Sequence, residues 1–266
     1  FYGSTPGTAG YEAAKWLNRR VGSKNDEHFT KSFTLAGFID DIKESGITSA
    51  VVVGRDTPSL TVSNDVIYDV VKQHKELIGI ASVDPQTHGI KATLDEIERS
   101  TKQLYLKGIN VEPGFGNPPV HADDKDFLGV YDACQQLGLP LFIMSGPTTP
   151  NLEHTNPAAI GRIARDFPNL NIVVYHGSYP FVNEIIGVAF RYENVNVVPD
   201  MYLFQAGSKL FVEAANSFLN EQLLFATSYP FRPMKQTIDD FLELGFKEEI
   251  LDYLFHKNAK RILKLN

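Results

Sequence analysis

A segment with helical periodicity followed by a short, wholly apolar segment recurs along most of this chain, and that alternation is the strongest constraint on its fold. Seven apolar segments are predicted as strands: Ile47–Val53, Leu77–Val83, Gly108–Glu112, Leu139–Ser145, Asn171–His176, Val195–Asp200 and Gln222–Ser228. Strands that are apolar throughout are buried on both faces, and strands joined by helices run parallel. The alternation therefore predicts an α/β fold with one parallel sheet covered by helices.

Two observations favour a closed barrel over an open sheet. The first predicted strand is followed by Gly54-Arg55-Asp56-Thr57-Pro58 rather than by a glycine-rich phosphate-binding fingerprint. The helix–strand unit also repeats evenly, without a change in composition. We predict a single domain over residues 1–266, folded as a (β/α)₈ TIM barrel. Its first strand would lie upstream of Phe1, with residues 1–33 as the loop and elaboration that follow that strand.

The composition excludes several classes of function. An apolar content of 43% supports a large core, and a net charge of −7 argues against a nucleic-acid or anionic-membrane surface. No apolar run approaches the roughly 20 residues that span a bilayer, and the N-terminus does not resemble a leader, which predicts a cytoplasmic protein. Cys134 is the only cysteine, so we predict a core residue and no disulfide.

His176 stands at the end of the fifth predicted strand, where Gly177 lets the backbone turn and Pro180 opens a helical segment. Ligands of parallel α/β folds bind at the carboxyl ends of the strands. Histidine titrates near neutral pH and suits proton transfer or metal ligation. His176 is therefore a candidate site residue, and a hydrogen-bonded core histidine is the alternative.

The remaining strand ends supply a polar rim that suits a small anionic or carbonyl-bearing molecule. The residues predicted as catalytic are His176, Glu112 and Tyr229, and those predicted to bind substrate are Arg55, Asp84, Asn110, Ser145, Asp200 and Ser228. Arg55 can hold a carboxylate through two hydrogen bonds, and His176 can act as acid or base. Asp84 and Asp200 could instead cap turns or helices, and Arg55 could form a surface ion pair with Asp56.

Several segments together resemble, in order and spacing, the amidohydrolase-2 family. These metal-dependent hydrolases and decarboxylases are related to aminocarboxymuconate-semialdehyde decarboxylase. The segments are Gly108–Pro113, Ala133–Ile143, Phe167–Val173, His176–Gly177, Leu224–Pro230 and Lys257–Leu263. The resemblance extends over nearly the whole chain from about residue 34.

The resemblance implies a distorted (β/α)₈ barrel and, in most members, one divalent metal. Its usual ligands are a His-x-His pair on the first strand, a histidine on the fifth, sometimes one on the sixth, and an aspartate after the eighth. The first pair would lie upstream of Phe1, and the later positions fall on Met144, His176 and Ser228. Thioether and neutral hydroxyl groups are poor ligands for zinc or manganese. We therefore predict no cofactor, with zinc or manganese as the disfavoured alternative.

Three hypotheses follow for the function. The first is a metal-independent, lactonase-like hydrolase or a lyase acting on a small carboxylated or lactone-type substrate. A Ser228–His176 nucleophile is disfavoured because no strained elbow surrounds Ser228. The second hypothesis is a catalytically silent barrel that binds a small ligand or stabilises an oligomer. The third is a metal-dependent hydrolase or decarboxylase that uses upstream histidines with His176. The expected partner is a small-molecule substrate, and we expect no binding to nucleic acid or membranes. Whether the protein forms a homo-oligomer is left open.

Overall fold

A six-stranded parallel sheet forms the centre of the computed structural model, which describes residues 5–23 and 26–265. The hydrogen-bonded order is β1, β4, β5, β6, β7, β8. These strands are β1 (Ala50–Val53), β4 (Leu77–Ser82), β5 (Ile109–Val111), β6 (Leu141–Met144), β7 (Ile172–Tyr175) and β8 (Val195–Val198). Each of the first six predicted segments thus contains a strand, and neighbours in sequence are neighbours in the sheet. Residues 1–4, where the predicted first loop begins, lie outside the described residues.

Helices cover the sheet between its strands, as the alternation predicts. They are α1 (Ala9–Arg20), α2 (Asp26–Lys31), α3 (Leu35–Glu44), α4 (Asn64–Val71), α5 (Pro85–His88), α6 (Ile90–Lys102), α7 (Lys125–Leu137), α8 (Pro157–Asp166), α9 (Val182–Arg191), α10 (Lys209–Ala214), α11 (Met234–Leu242), α12 (Glu248–Asp252) and α13 (Asn258–Leu263). Thr34 caps α3 by accepting a hydrogen bond from the Gly37 N–H, and Gly138 ends α7 in the left-handed conformation. None of the helices in the described ranges combines the length and apolar composition that crossing a membrane requires.

The two faces of the sheet bury different sets of side chains, because successive residues of a strand point to opposite sides. Outward residues such as Ile143 and Val174 pack under the helices. Inward strand residues form a separate interior cluster together with Leu224 and two residues of α13, and its members are Ile80, Phe142, Val173, Val198, Leu224, Ile262 and Leu263. Val53 of the first strand packs against the same cluster as Val198 of the last. The sheet is therefore curled around its own core in the manner of a TIM barrel, and the predicted fold class is confirmed.

The seventh predicted strand, Gln222–Ser228, is wrong because the structure retains only a small part of it. The segment joins the sheet at a single bridge between Leu223 and Val197. Two residues later, the Phe225 N–H donates to the carbonyl of Leu254, in a π-helical turn, instead of to β8. The chain therefore leaves the sheet after one bridge, although Leu224 still points into the interior.

The structure adds a short antiparallel hairpin that the sequence did not predict. Its strands are β2 (Arg55–Thr57) and β3 (Leu60–Val62), directly after β1. The Thr57 hydroxyl closes the turn by donating to the Leu60 carbonyl and accepting from the Leu60 N–H. Strands of three residues carry too little periodicity to be recognised in sequence. The hairpin matters because it holds Arg55 at the end of β1.

The N-terminal helices pack over the loop that follows the seventh predicted strand. The Asn18 side chain donates to the Phe231 carbonyl, and Arg232 donates to the Val21 carbonyl. Val21 packs with Met201 and Tyr202, two residues that follow β8. Helices α1 and α2 both lie within residues 1–33, the stretch predicted as loop and elaboration. This elaboration therefore lies against the same edge of the sheet as the candidate site.

Cys134 should be unreactive in the folded protein. It is fully buried on α7, and burial raises the pKa of its thiol to about 12. Since the thiolate is the nucleophile, alkylation at about pH 8 should be negligible in buffer and complete after denaturation in urea. Mass spectrometry of iodoacetamide-treated protein measures the extent of alkylation in the native and the denatured sample, and the denatured sample is the control. Rapid labelling of the native protein would contradict this assignment.

Candidate active site

The predicted site residues follow strands that end at one edge of the curled sheet. Glu112 comes directly after β5, His176 directly after β7, and Arg55 and Asp84 follow β1 and β4 by two residues each. The five neighbouring pairs of these strands are all parallel. Their carboxyl ends therefore share one edge, which is where ligands bind in barrels of this type.

His176 is held by Asp200 from the end of the neighbouring strand. Its ring Nδ1 lies 2.7 Å from Asp200 Oδ2, and its backbone N–H donates to the same oxygen over 3.0 Å. A carboxylate only accepts hydrogen bonds, so Nδ1 carries the proton and Nε2 of the neutral ring is the basic nitrogen. The other oxygen, Asp200 Oδ1, is buried and has no hydrogen-bond partner among the described residues. This is the arrangement of a histidine prepared for proton transfer.

The backbone around this pair is unusual. His176 and Asp200 both adopt left-handed conformations, with φ of 65° and 45°. Non-glycine residues adopt such angles at a cost of order 1–3 kcal/mol each, and they cluster at functional sites. Gly146 makes room for the ring, since a Cβ at that position would lie 2.7 Å from the Cβ of His176. The turn after β7 is therefore shaped around the imidazole.

Arg55 and Glu112 form the second charged pair. Arg55 Nε donates to both carboxylate oxygens, over 2.9 and 3.1 Å, and its Nη2 donates to Oε2. The Glu112 side chain is completely buried, whereas that of Arg55 is 28% exposed. Phe115 lies under the guanidinium, 5.2 Å from its Cζ. The arrangement orients a partly exposed cation at the strand ends and gives Glu112 a positioning role.

Asn110 connects the second pair to the strand ends. Its amide Nδ2 contacts the Gly54 carbonyl, the Ser82 hydroxyl and Glu112 Oε1 over 3.1–3.3 Å. Asn110 is fully buried, and its Oδ1 has no hydrogen-bond partner within the described parts of the chain. A buried acceptor without a partner is rare, and a water molecule or a ligand group can supply the missing hydrogen bond. Asn110 therefore belongs with Arg55 and Glu112 in the candidate site.

Two aromatic residues that the sequence did not single out border His176. The ring of Tyr175 lies 5.0 Å from the imidazole, and that of Tyr202 lies 5.4 Å from it, both edge-on. Tyr175 ends β7 and follows Val173 by two residues, so the inward alternation of β7 could have identified it. Tyr202 lies in a 3₁₀ turn after β8, where no periodic pattern applies.

Other predicted residues are engaged elsewhere. Asp84 caps α5 by accepting hydrogen bonds from the Gln86 N–H and the Thr87 hydroxyl. Capping was the alternative to a role in binding substrate. Ser145 bonds to Ser178 and to the Thr155 carbonyl. Ser228 turns the backbone in the left-handed region, with φ of 50°. None of these three makes a described contact with His176 or Arg55, so their predicted role in binding substrate stays a prediction.

Tyr229, predicted as catalytic, packs into a different cluster. Its ring lies against His28 and Phe38, 5.5 and 5.1 Å away. Burial, together with the nearby Asp41 carboxylate, raises the pKa of its hydroxyl well above the usual value. The side chain thus joins the N-terminal elaboration to the loop after the seventh predicted strand. Its predicted catalytic role has no supporting contact to His176.

The site residues do not fit a divalent metal. Met144 is a buried thioether beside Tyr175 in the paired register of β6 and β7, and Ser228 supplies at most a neutral hydroxyl. The two buried carboxylates of the site are already engaged, Glu112 by Arg55 and Asp200 by Nδ1 of His176. Across the described residues, no group of three or more histidine, cysteine, aspartate or glutamate side chains could hold a metal.

A curled parallel sheet with two charged pairs at its strand ends defines a TIM-barrel protein with a candidate active site at the barrel mouth. The family model described as Amidohydrolase matches residues 30–265, and the chain belongs to this family. No curated protein matches the sequence.

Solved structures agree with this fold. An uncharacterised TIM-barrel protein from Bordetella bronchiseptica is 32% identical, with a TM-score of 0.89 over 96% of this chain and 90% of that one. 5-Carboxyvanillate decarboxylase from Sphingomonas paucimobilis is 15% identical, with a TM-score of 0.67 over 96% of both chains. Dihydroxybenzoic acid decarboxylase from Polaromonas sp. JS666, solved with manganese and 2-nitroresorcinol, is 15% identical, with a TM-score of 0.70 over 93% of this chain and 92% of that one. At 15% identity the last two show the fold alone.

Removing one partner of the Arg55–Glu112 pair should cost more stability than removing both. Arg55→Met leaves a carboxylate with 0% exposure uncompensated, so we expect a loss of about 3 kcal/mol in unfolding free energy. The double variant Arg55→Met/Glu112→Leu should recover about 1–3 kcal/mol of that loss. Urea denaturation measures the unfolding free energy of both variants and of the wild type.

The control for this cycle is Arg165→Met, which breaks an exposed pair with Asp166 and should change stability by less than about 0.5 kcal/mol. A double variant that is no more stable than Arg55→Met would show that the buried Glu112 carboxylate does not depend on Arg55.

Proposed function

We propose that this protein is a metal-independent hydrolase that opens a lactone or similar ester in a small carboxylated substrate. The observation that carries the proposal is the His176–Asp200 pair, because it presents a correctly protonated imidazole at the barrel mouth. Family membership supports hydrolytic chemistry. The donor set supports a mechanism without metal, because the resemblance places Met144 and Ser228 at two of the family's ligand positions, and a thioether and a neutral hydroxyl are poor ligands for zinc or manganese.

In this mechanism His176 is the general base and then the general acid. Asp200 keeps the proton on Nδ1 and stabilises the imidazolium that forms when Nε2 takes a proton from water. The water oxygen bonds to the substrate carbonyl carbon. In the second step the ring C–O bond breaks, and the departing oxygen takes the proton back from Nε2. The product is an acyclic hydroxy acid.

Arg55 is proposed to bind the substrate carboxylate. A guanidinium carries five N–H donors in a fixed fork, so an arginine oriented by one carboxylate can also engage a second. Glu112 and Phe115 orient Arg55, and its partial exposure gives a substrate access. Because the Arg55–Glu112 pair is neutral overall, we expect modest affinity and a requirement for the carboxylate in positioning rather than in tight binding.

Decarboxylation is the second candidate, and the solved neighbours favour it. The proteins from Sphingomonas paucimobilis and Polaromonas share the fold and are named as decarboxylases of carboxylated aromatic compounds. Protonated His176 could then deliver a proton to the carbon that loses CO₂. A screen should therefore follow proton release from lactones and CO₂ release from small aromatic carboxylates in parallel.

Replacing His176 should abolish most turnover and leave the fold intact. General acid–base catalysis contributes roughly 10²- to 10⁴-fold, so His176→Asn should lower turnover by that factor with little change in thermal midpoint. The matched control is His88→Asn, which removes a half-exposed histidine paired with Asp56 and should leave turnover unchanged. A His176→Asn protein that is destabilised yet fully active would refute the catalytic assignment.

Metal should not be required. Protein purified without chelator should contain no stoichiometric zinc or manganese by elemental analysis, and its turnover should survive dialysis against EDTA. The reason is the donor set, in which Met144 and Ser228 provide no anionic ligand. Near-stoichiometric metal whose removal abolishes turnover would show that other groups complete a metal site, and would overturn the metal-independent mechanism.

A further inference from the structure

Tyr175 lies beside the His176–Asp200 pair at the mouth of the barrel. It is the last residue of β7, directly before His176, and its ring lies 5.0 Å from the imidazole at an angle of 68°. Tyr175 packs against the interior cluster together with Val53 and Ile78, so its side chain points into the barrel. The phenol therefore lies on the inner side of the mouth, beside the base.

The surroundings of the phenol set its protonation state. Burial and the Glu112 carboxylate raise the pKa of Tyr175 well above its usual value, and Asp200 adds to this effect. Arg55 and the Asn110 amide act in the opposite direction, without reversing it. Residues of both pairs thus affect the pKa of this one hydroxyl. Because its pKa is raised, the phenol is neutral at neutral pH and is an O–H donor.

We propose that Tyr175 is a catalytic residue whose O–H donates to the substrate carbonyl oxygen as negative charge develops there. This assignment rests on the proposed function and extends it. When water adds to the carbonyl carbon, the π electrons move to the carbonyl oxygen, and an oriented donor in a water-poor site stabilises that oxyanion. When the C–O ring bond breaks, the same electrons re-form the carbonyl. The phenol keeps its proton throughout.

Arg55 is less suited to the oxyanion role. Its charge is already countered by Glu112, and three of its hydrogen bonds hold it in that pair. Tyr175 also adjoins His176 in sequence, so the donor and the base are carried by consecutive residues of the same strand end. A substrate carbonyl between them would have its carbon facing His176 and its oxygen facing the phenol. The substrate class that this geometry accepts is a carboxylated ester or lactone.

Two small probes test the assignment without a known substrate. Phosphonoacetate joins a carboxylate to a tetrahedral, anionic phosphonate that imitates the oxyanion, whereas malonate carries a planar carboxylate in its place. Isothermal titration calorimetry on the full-length wild type should give tighter binding of phosphonoacetate. Tyr175→Phe should weaken the binding of phosphonoacetate by about 10- to 100-fold, which is the usual effect of removing a hydrogen bond to a charged group. The same substitution should weaken the binding of malonate far less. Thermal midpoints verify that the variant is folded.

The control is Tyr179→Phe, whose hydroxyl donates to the Ala206 carbonyl, and which should leave both affinities unchanged. Equal losses for the two probes in Tyr175→Phe, or equal affinities in the wild type, overturn the oxyanion assignment and leave the proposed function standing. If the variant does not fold, equal affinities of the two probes for the wild type still overturn the assignment. Failure of both probes to bind the wild type overturns the carboxylate site, and with it both proposals.

Discussion

Burial of the parallel sheet on both of its faces is the constraint on which the rest of this structure depends. Helices cover the outward side chains, and the curled sheet encloses the inward ones, so the middle of a strand has little room for a charge. Polar and ionisable groups are therefore concentrated where the strands end. The carboxyl edge collects Arg55, Glu112, His176 and Asp200 for this reason, since unpaired burial would cost several kcal/mol per charge.

At that edge the carboxylates of Glu112 and Asp200 are each paired, and the two pairs differ in what they leave available. Glu112 uses both oxygens on Arg55, so its contribution is to orient a cation. Asp200 uses one oxygen on His176, and this sets the tautomer of the ring and makes Nε2 the base. One pair is thus suited to binding and the other to proton transfer. Tyr175 lies between them and belongs to neither pair.

The family relationship and the site chemistry carry different information. Membership of the amidohydrolase family follows from a match over residues 30–265, and the fold agrees with solved neighbours. The chemistry depends on which side chains stand at the strand ends, and folds of this kind host many reactions. In this chain a methionine and a serine stand at positions where the resemblance implies a histidine and an aspartate. The fold is therefore shared with manganese-containing neighbours, whereas the metal-free mechanism proposed here depends on His176, Asp200 and Tyr175.

The sequence by itself determined the alternation of helices and strands and the placement of His176 and Glu112 at the ends of strands. These are local properties, because periodicity and turn chemistry depend on residues a few positions apart. Only the tertiary structure decided the pairings, since His176 and Asp200 are 24 residues apart and Arg55 and Glu112 are 57 apart. It also turned Tyr229 towards His28 and Phe38, and ended the seventh strand after one bridge. A hydrogen-bond partner is chosen by the direction of a side chain in space, and that direction follows from how the strands curl, which no short stretch of sequence encodes.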